Sequence, residues 1–388
     1  MTAAPAPDAT AWRRVGALLF ATGWGANHFA ALLLVYRARL GLDAAAPAAL
    51  LGMYALGLVP GLLVGGPLSD RWGRRRVVLP AAAAALAASA LLGALGDRFA
   101  ALLVGRLLYG LGAGGVMSAG AAWLIELSLA AGPADSGRAA RRATISLSAG
   151  FGLGPLVSGA LAQYAPAPTV APYVVHVGLL AILLARCARA PALPPRATAG
   201  PLLAIALDRD GWRAFLRGIA PMAPLVFAFP TIAFAALPGM LVGALGRAPM
   251  AYTGALCALT LLAGVAAQPV TRRFAPAAAA RLGLVVGAAG VGVGIAAVAA
   301  GWAPALAVAA PLLGVGYGAC MTAGLAGVQR IARPEARGGV TGLYYVLTYV
   351  GFGAPYALAL ATRSVAPTTA LAITAGLALA LAAVLPRG

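Results

Sequence analysis

The segment Gly66-Pro67-Leu68-Ser69-Asp70-Arg71-Trp72-Gly73-Arg74-Arg75-Arg76 separates two long apolar stretches of the chain. It places one carboxylate and four arginines in a short connector that also contains glycine. Each flanking stretch is long enough to cross the hydrocarbon core of a bilayer, which takes about 20 apolar residues in a helix. Short basic connectors between membrane helices stay on the cytoplasmic side. The segment therefore predicts a helical hairpin in a membrane, with its turn in the cytoplasm.

The composition of the whole chain also indicates an integral membrane protein. Of 388 residues, 62% are hydrophobic and only 10% are charged, whereas a soluble domain has about 25% charged residues. The net charge of +19 comes from 28 arginines, with no lysine, in short polar breaks. This distribution orients membrane helices and argues against a nucleic-acid partner, which would need a continuous basic stripe. The three cysteines have no metal-ligand spacing, so we expect no metal and no other cofactor.

Twelve apolar stretches are long enough to be membrane-spanning helices. They cover residues 15–36, 48–68, 77–95, 100–124, 143–163, 170–185, 218–242, 249–270, 282–300, 304–328, 340–361 and 368–384. A proline-rich break divides them into two sets of six. We predict an all-α membrane protein of twelve transmembrane helices in two six-helix pseudo-symmetric halves, 1–188 and 218–388, joined by a cytoplasmic linker over 189–217. A weak internal match agrees, because Gly150-Phe151-Gly152 in span five corresponds to Gly351-Phe352-Gly353 in span eleven.

The positions of the arginines test this count. With the N-terminus in the cytoplasm, 22 arginines fall in cytoplasmic ends and connectors and 5 on the outer side, while Arg106 lies within a span. A missed or additional helix would invert the later connectors and remove this asymmetry. We therefore predict that both termini are cytoplasmic. The bias toward arginine, alanine and glycine indicates a GC-rich bacterial source, and hence the inner membrane.

The connector between spans two and three resembles the signature loop of the major facilitator superfamily of secondary transporters. The matching positions are Gly66, Asp70, Arg71, Gly73, Arg74 and Arg75. The resemblance implies that Asp70 contacts the start of span eleven, near residues 338–341, and latches the two halves together on the cytoplasmic side. The amides at a helix N-terminus are suitable donors for a carboxylate. The alternative is a basic connector that only sets the topology and contains an incidental acid.

Glu126 lies at the cytoplasmic end of span four, on the same side of the membrane as that connector. The resemblance implies a charge network that joins Glu126 to Arg74 or to a neighbouring arginine. The alternative is a carboxylate at a helix end that reaches into water.

Arg106 is the charged residue that lies deep inside a predicted span, and such a residue is costly and marks a functional position. Its surroundings, with Gly110 four residues later, resemble the superfamily motif of span four. In that motif the arginine is associated with proton movement or with holding span one. Asn27 and His28 of span one reach a similar depth. We predict that Arg106 bonds Asn27 or carbonyl groups of span one and that His28 titrates; the alternative is a structural histidine.

Span five contains Gly150, Gly154, Pro155 and Gly159. Small residues allow helices to approach closely, and a proline bends a helix. The segment from Gly154 to Gly159 resembles the motif of the drug/proton antiporter branch of the superfamily, with Ser158 in place of one glycine. This resemblance implies export. The alternative is close helix packing with no consequence for the direction of transport.

Aromatic side chains on the spans are candidates for the wall of a substrate cavity. They are Trp24, Phe227, Phe229, Tyr317, Tyr345 and Tyr349. Aromatic rings with few polar groups suit an apolar or cationic organic ligand. The alternative is that these rings pack against neighbouring helices or lie at the membrane interface.

The sequence contains no nucleotide-binding loop, metal-ligand cluster or nucleophile–base pair, so we expect transport to draw on an ion gradient. The resulting hypothesis is a monomeric secondary transporter in the lipid bilayer, and not an enzyme. It exports a small hydrophobic or cationic organic compound in exchange for protons by alternating access. The alternatives are an uptake symporter or facilitator for a small metabolite, a polytopic membrane enzyme, and a sensor that does not transport.

Overall fold

The computed structural model describes residues 10–43, 46–132, 135–195, 205–333 and 336–385, and over these residues it contains helices and connectors but no strand. The long helices are α1 (Ala11–Arg39), α2 (Ala46–Trp72), α3 (Arg74–Ala94), α4 (Phe99–Ala130), α5 (Ser136–Tyr164), α6 (Ala171–Cys187), α7 (Arg209–Met240), α8 (Pro249–Thr271), α9 (Pro276–Ala300), α10 (Ala303–Ile331), α11 (Arg337–Ala361) and α12 (Pro367–Val384). All except α6, which has 17 residues, are long and apolar enough to cross a membrane. The predicted fold class is confirmed.

The helix bounds differ most from the prediction at α7, which begins at Arg209 rather than at residue 218. The Asp208 side chain accepts a hydrogen bond from the backbone N–H of Gly211 at 2.7 Å and so caps the helix. Residues 209–217, which the sequence predicts as part of the linker, therefore belong to α7. Residues 196–204 of that linker lie outside the described residues.

Two groups of helices form separate hydrophobic cores. One core is built mainly by α1–α6 and the other mainly by α7–α12. In the first group α2 packs along α4 and α1 along α5, while in the second group α8 packs along α10 and α7 along α11. The two groups meet along α5 and α8 and along α2 and α11. The surface between the groups is where the predicted alternating access would place a substrate site.

The two Gly-Phe-Gly segments occupy equivalent places in these groups. Gly150 of α5 lies so close to α1 that a methyl group would overlap the Phe20 carbonyl oxygen. Gly351 of α11 approaches α7 in the same way, because a methyl group there would overlap the Pro224 carbonyl oxygen. The weak internal match in the sequence therefore corresponds to one repeated helix contact.

Two helices change their winding beside the surface between the groups. In α1 a tight 3-10 turn covers Phe29–Leu32, and in α11 such a turn covers Gly351–Gly353. A 3-10 turn winds more tightly than an α-helix and so redirects the side chains that it carries. Phe29 and Phe352 lie in these turns, and both contact the site described below.

Replacement of Gly110 by alanine is expected to destabilise the protein, because the added methyl group would overlap the Tyr54 carbonyl oxygen on α2. We expect a loss of about 1–3 kcal/mol from overpacking, which exceeds the gain in helix propensity. The melting temperature of the purified protein in detergent measures this loss. Gly178→Ala is the matched control, since Gly178 faces open space among the described residues. If both variants had the same melting temperature, the tight contact between α2 and α4 would be wrong.

Candidate transport site

Six aromatic side chains from both helix groups lie close together. This aromatic cluster consists of Tyr54 on α2, Phe227 on α7, Tyr317 on α10, and Tyr345, Tyr349 and Phe352 on α11. Phe227 stacks on Tyr349 with the ring centroids 4.8 Å apart. The ring centroids of Phe352 and Tyr54 are 6.3 Å apart, and this contact joins the two groups. The cluster therefore lies on the surface between the groups.

Four of the six predicted cavity residues belong to this cluster, and Phe229 does not. Phe229 is fully buried inside the core of the second group, where its ring lies against Gly287 of α9. Residues two positions apart on a helix face nearly opposite sides, so Phe227 and Phe229 cannot both face the cluster. The prediction for Phe229 is corrected accordingly.

Trp24 lies on α1 outside the aromatic cluster. Its backbone is covered by Gly150 and Gly154 of α5, and its ring contacts Phe20 edge-on at 5.8 Å. Its Nε1 is buried without a hydrogen-bond partner in the part of the chain that the structure describes. Trp24 therefore belongs to the contact between α1 and α5, and its role in substrate binding stays a prediction.

Arg106 of α4 is only 1% exposed and lies beside the cluster. Its guanidinium carbon is 4.4 Å from the ring centroid of Phe29 and 4.3 Å from that of Tyr54. Nε donates a hydrogen bond to the Leu50 carbonyl oxygen at 3.3 Å, whereas Nη1 has no partner among the described residues. Aromatic rings attract a cation over their faces, so this buried charge is held mainly by two rings.

These contacts correct the predicted bonding of Arg106. Its hydrogen bond goes to a carbonyl group of α2, and not to Asn27 or a carbonyl group of α1. The contact with α1 is made by the Phe29 ring. Asn27 and Phe29 are two positions apart and so face different sides of α1. Arg106 therefore joins α1 and α2 through stacking and one hydrogen bond.

The two histidines of the chain face each other close to Arg106. The rings of His28 on α1 and His176 on α6 are 4.9 Å apart and both are buried, and His28 lies within reach of the Arg106 charge. His176 Nε2 lies 3.0 Å from the Ala21 carbonyl oxygen and Nδ1 lies 2.9 Å from Ser89 Oγ. Because a carbonyl oxygen only accepts, we assign the hydrogen to Nε2. His28 Nδ1 has no hydrogen-bond partner within the described ranges.

Sequence reasoning selected His28 but missed His176, Tyr54 and Phe352. A histidine near the start of a short apolar helix was itself a signal, because titratable residues inside a membrane span tend to be functional. Nothing in the sequence indicated that α6 turns this histidine toward α1. The two aromatic residues were missed because their helix faces were not known.

Tyrosines complete the polar interior of the first helix group. The Tyr36 hydroxyl donates to the Tyr173 hydroxyl at 3.1 Å, and the Tyr109 hydroxyl donates to the Thr22 carbonyl oxygen at 2.9 Å. The His28 ring packs edge-on against Tyr173 with the centroids 4.8 Å apart. The histidines and Arg106 are thus surrounded by hydroxyl groups and aromatic rings. The acidic residues of the sequence lie in connectors or near the ends of spans.

The connector between α2 and α3 contains an ion network. Arg74 Nη2 lies 2.6 Å from an Asp70 carboxylate oxygen and 2.8 Å from a Glu126 oxygen on α4, and Nη1 donates to Ser69 Oγ. Gly73 has a φ of 94°, which residues with side chains rarely adopt. This turn lets α3 begin directly after α2. The ion pair between Arg74 and Glu126 is one of the pairs that the resemblance implies, which join Glu126 to Arg74 or to a neighbouring arginine.

The gating contact of Asp70 stays a prediction. Asp70 pairs with Arg74 of the same helix group, and Gly338 near the start of α11 has open space around it among the described residues. Arg75 Nη2 donates to the Ala188 carbonyl oxygen at 2.6 Å and so connects the loop to the end of α6. Roles for Arg71 and Gly66 in gating also stay predictions.

The glycines of α5 contact helices of both groups. Gly154 faces the backbone of α1, while Gly159 lies against Gly254 of α8. The Gln163 amide donates to the Arg247 carbonyl oxygen and accepts from the Met250 N–H, both at 3.1 Å. The Gly154–Gly159 segment therefore holds α5 between the two groups at the end of the bundle opposite the Asp70 connector.

The family model of the Major Facilitator Superfamily matches residues 15–354. The chain belongs to this superfamily. Its structure is similar to that of the nucleoside transporter NupG, with 14% sequence identity and a TM-score of 0.75 over 96% of this chain and 98% of that chain. It is also similar to a peptide transporter POT in complex with sulfate, with 16% sequence identity and a TM-score of 0.80 over 97% of this chain and 93% of that chain. A third similar structure is a POT family transporter in complex with 5-aminolevulinic acid, with 12% sequence identity and a TM-score of 0.75 over 96% of this chain and 95% of that chain. No curated protein sequence matches the chain.

At these sequence identities the solved structures show the superfamily fold. The protein is therefore a multi-pass membrane transporter of the Major Facilitator Superfamily. The predicted superfamily is confirmed, and the drug/proton antiporter branch stays a prediction.

Replacement of Glu126 by glutamine is expected to destabilise this superfamily protein by about 1–3 kcal/mol, because the buried Arg74 guanidinium loses one of its carboxylate partners. The melting temperature in detergent at neutral pH measures the effect. The matched control is Asp210→Asn, which removes an exposed pair with Arg213 at 3.7 Å. Such a pair contributes about 0–1 kcal/mol, so a Glu126→Gln effect as small as the control would contradict a stabilising network.

Proposed function

We propose that this superfamily transporter exports a small, mainly apolar organic compound from a bacterial cell in exchange for protons. The aromatic cluster carries the proposal, because it combines rings from both helix groups on the surface between them. In alternating access, two halves rock about a site at their interface. The halves are the groups α1–α6 and α7–α12, and they work as a monomer in the inner membrane with both termini in the cytoplasm.

The cluster favours an apolar substrate over a cationic one. Its rings provide a large apolar contact area with hydroxyl groups at the edges. The nine acidic residues of the sequence all lie in connectors or near the ends of spans, so a cation bound at mid-membrane would lack a countercharge. Arg106, which contacts Tyr54, would also repel it. Of the two predicted substrate types, the hydrophobic one has the better support.

Export is proposed from the geometry of α5. The segment that resembles the antiporter motif contacts α1 at Gly154 and α8 at Gly159. Close contact between glycines lets two helices pack with little space between them. Such packing closes the end opposite the Asp70 connector while the cytoplasmic end opens. A compound dissolved in the inner leaflet or the cytoplasm could then enter the site between the helix groups, whereas a compound on the outer side could not.

Protons are proposed to bind at the pair formed by His28 and His176. Histidine is a side chain that can take up and release a proton. The groups that face the pair include Arg106 and Tyr109 from α4, Tyr173 from α6 and Ser89 from α3. A proton on His28 places a positive charge beside the guanidinium, and the repulsion would loosen the packing of α1 against α4 and α6.

The Asp70 connector is proposed as the cytoplasmic gate. Asp70 contacts the start of α11 when the cytoplasmic end is closed, and the helix N-terminus stabilises its carboxylate. The ion pair between Arg74 and Glu126 holds the connector in place against α4. Loss of the Asp70 charge therefore weakens the closed state without removing the substrate site.

Asp70→Asn is expected to lower export by about tenfold, which corresponds to about 1.4 kcal/mol, because an amide replaces the charge that stabilises the closed gate. Cells that express wild-type or variant protein are loaded with labelled aromatic and aliphatic compounds, and accumulation is measured with and without a proton gradient. The matched control is Asp43→Asn in the connector before α2, which should transport normally.

Each result of this assay has a distinct meaning. Lower accumulation of a compound in wild-type cells, lost in Asp70→Asn and on collapse of the gradient, supports proton-coupled export. Higher accumulation with the same controls would instead establish uptake. Equal accumulation of every compound in cells with and without the protein would contradict the transport of compounds of this class.

His28→Gln is expected to abolish transport driven by a pH gradient while substrate exchange without a gradient persists. Glutamine is polar but does not bind a proton in this pH range. Both rates are measured with the purified protein in liposomes, using a compound identified in the cell assay. His176→Gln tests the partner ring, and Asn27→Gln is the control on the neighbouring position. If driven transport and exchange fell together, the histidines would be structural rather than proton-binding.

A further inference from the structure

Arg106 has a positive charge without a negative partner. The side chain is 1% exposed, and the ion pairs of the described residues all involve other arginines. It donates one hydrogen bond, from Nε to Leu50, and its Nη1 is buried and unpaired over the described ranges. A buried charge without a partner destabilises a protein strongly. The buried charge of Arg106 must therefore be explained either by a structural role or by a ligand that binds it.

The two aromatic rings compensate this charge only in part. Phe29 and Tyr54 lie 4.4 and 4.3 Å from the guanidinium carbon and attract it through their faces. Neither ring accepts a hydrogen bond from Nη1. A guanidinium presents its N–H groups in one plane, as a fork that matches the two oxygens of a carboxylate. The rings thus hold the guanidinium and leave part of its hydrogen-bonding edge for another group.

Arg106 is also next to the proposed substrate site. The Tyr54 ring contacts the Arg106 guanidinium. The centroid of the same ring is 6.3 Å from the ring centroid of Phe352, which belongs to the second helix group. One ring therefore separates Arg106 from the surface between the groups. Tyr54 and Phe352 belong to different halves, so rocking of the halves in alternating access would change this contact and give a bound compound access to the guanidinium.

We propose that Arg106 binds a carboxylate group of the transported compound, so that the substrate is an amphipathic organic acid with an apolar or aromatic body. This inference rests on the proposed transport function and names its substrate class. The body lies among the rings of the aromatic cluster, and the carboxylate accepts hydrogen bonds from Arg106. The arrangement selects against amines, which would place a second positive charge beside the guanidinium.

The first experiment compares matched compounds in which a neutral amide replaces the carboxylate. Binding of indole-3-acetate, 3-phenylpropionate and 2-naphthylacetate to the purified protein is measured by calorimetry, together with the primary amide of each acid. We expect the best carboxylate to bind about tenfold more tightly than its amide, as a charge-assisted hydrogen bond would provide. If no acid in the panel binds more tightly than its amide, the proposal is wrong.

Variants of Arg106 identify the group responsible. Arg106→Gln should remove the preference for the acid, while Arg106→Lys keeps the charge but loses the fork and should retain a smaller preference. Arg39→Gln is the matched control, because Arg39 is exposed and donates to Thr169 at 3.1 Å. A preference that survives unchanged in Arg106→Gln would place the anion site elsewhere and overturn the proposal.

A measurement without ligand separates this role from a structural one. If Arg106 is kept for a ligand, Arg106→Met removes an unpaired buried charge and should raise the melting temperature of the ligand-free protein, by about 2–4 °C. A lower melting temperature, or failure to fold, would show that Arg106 mainly holds α1 and α2 together. That result would contradict the proposal even if no compound had been tested.

The flux of the same pairs in liposomes distinguishes the two proposals. Equal transport of acids and amides would leave the transport function intact and refute the carboxylate site. Binding of acids that depends on Arg106, with no flux of either compound, would support the site and refute transport of these compounds. Faster flux of the acids that is lost in Arg106→Gln supports both.

Discussion

The structure depends on the close approach of helix backbones at glycine. In a bilayer the lipid tails are as apolar as the side chains, so helices associate through tight packing rather than through the hydrophobic effect. A methyl group at Gly110 would overlap α2, and one at Gly318 would overlap the Gly264 carbonyl oxygen on α8. The contacts of Gly150 with α1 and of Gly351 with α7 repeat this arrangement. Each helix group is therefore a tightly packed unit, and the surface between the units is left for side chains that bind and move.

The two units contribute different chemistry to that surface. The second unit provides Phe227, Tyr317 and the rings of α11, which form an apolar wall. The first unit contains a polar interior in which Arg106, His28 and His176 are buried among tyrosines. A site built in this way can bind an apolar body on one side and respond to charge on the other. Tyr54 connects the two, since it contacts both Arg106 and Phe352.

Charge at the cytoplasmic connector is handled differently from charge in the interior. Arg74 has two carboxylates and a hydroxyl within hydrogen-bonding distance, so its burial is compensated locally. Arg106 has two rings and one carbonyl oxygen instead. Because desolvation of a charge is costly, the first arrangement stabilises a fixed connector, whereas the second leaves capacity for an additional anion. The contrast supports the proposal that Arg106, unlike Arg74, is available to a ligand.

The sequence alone determined the helix count, the fold class and the superfamily. Hydropathy, the placement of arginines and the Asp70 connector are local patterns, and in a bilayer such patterns set which segments span the membrane and in which orientation. It also located Arg106, since a charge inside an apolar span stands out. Only the tertiary structure decided which side of each helix faces the core, the neighbouring helices or the surface between the two units. It turned Phe229 into the core of the second unit, directed Arg106 to α2 rather than to Asn27, and brought His176 to His28. Membrane helices are apolar on almost every side, so their rotation is set by packing against neighbours, which a linear pattern does not contain.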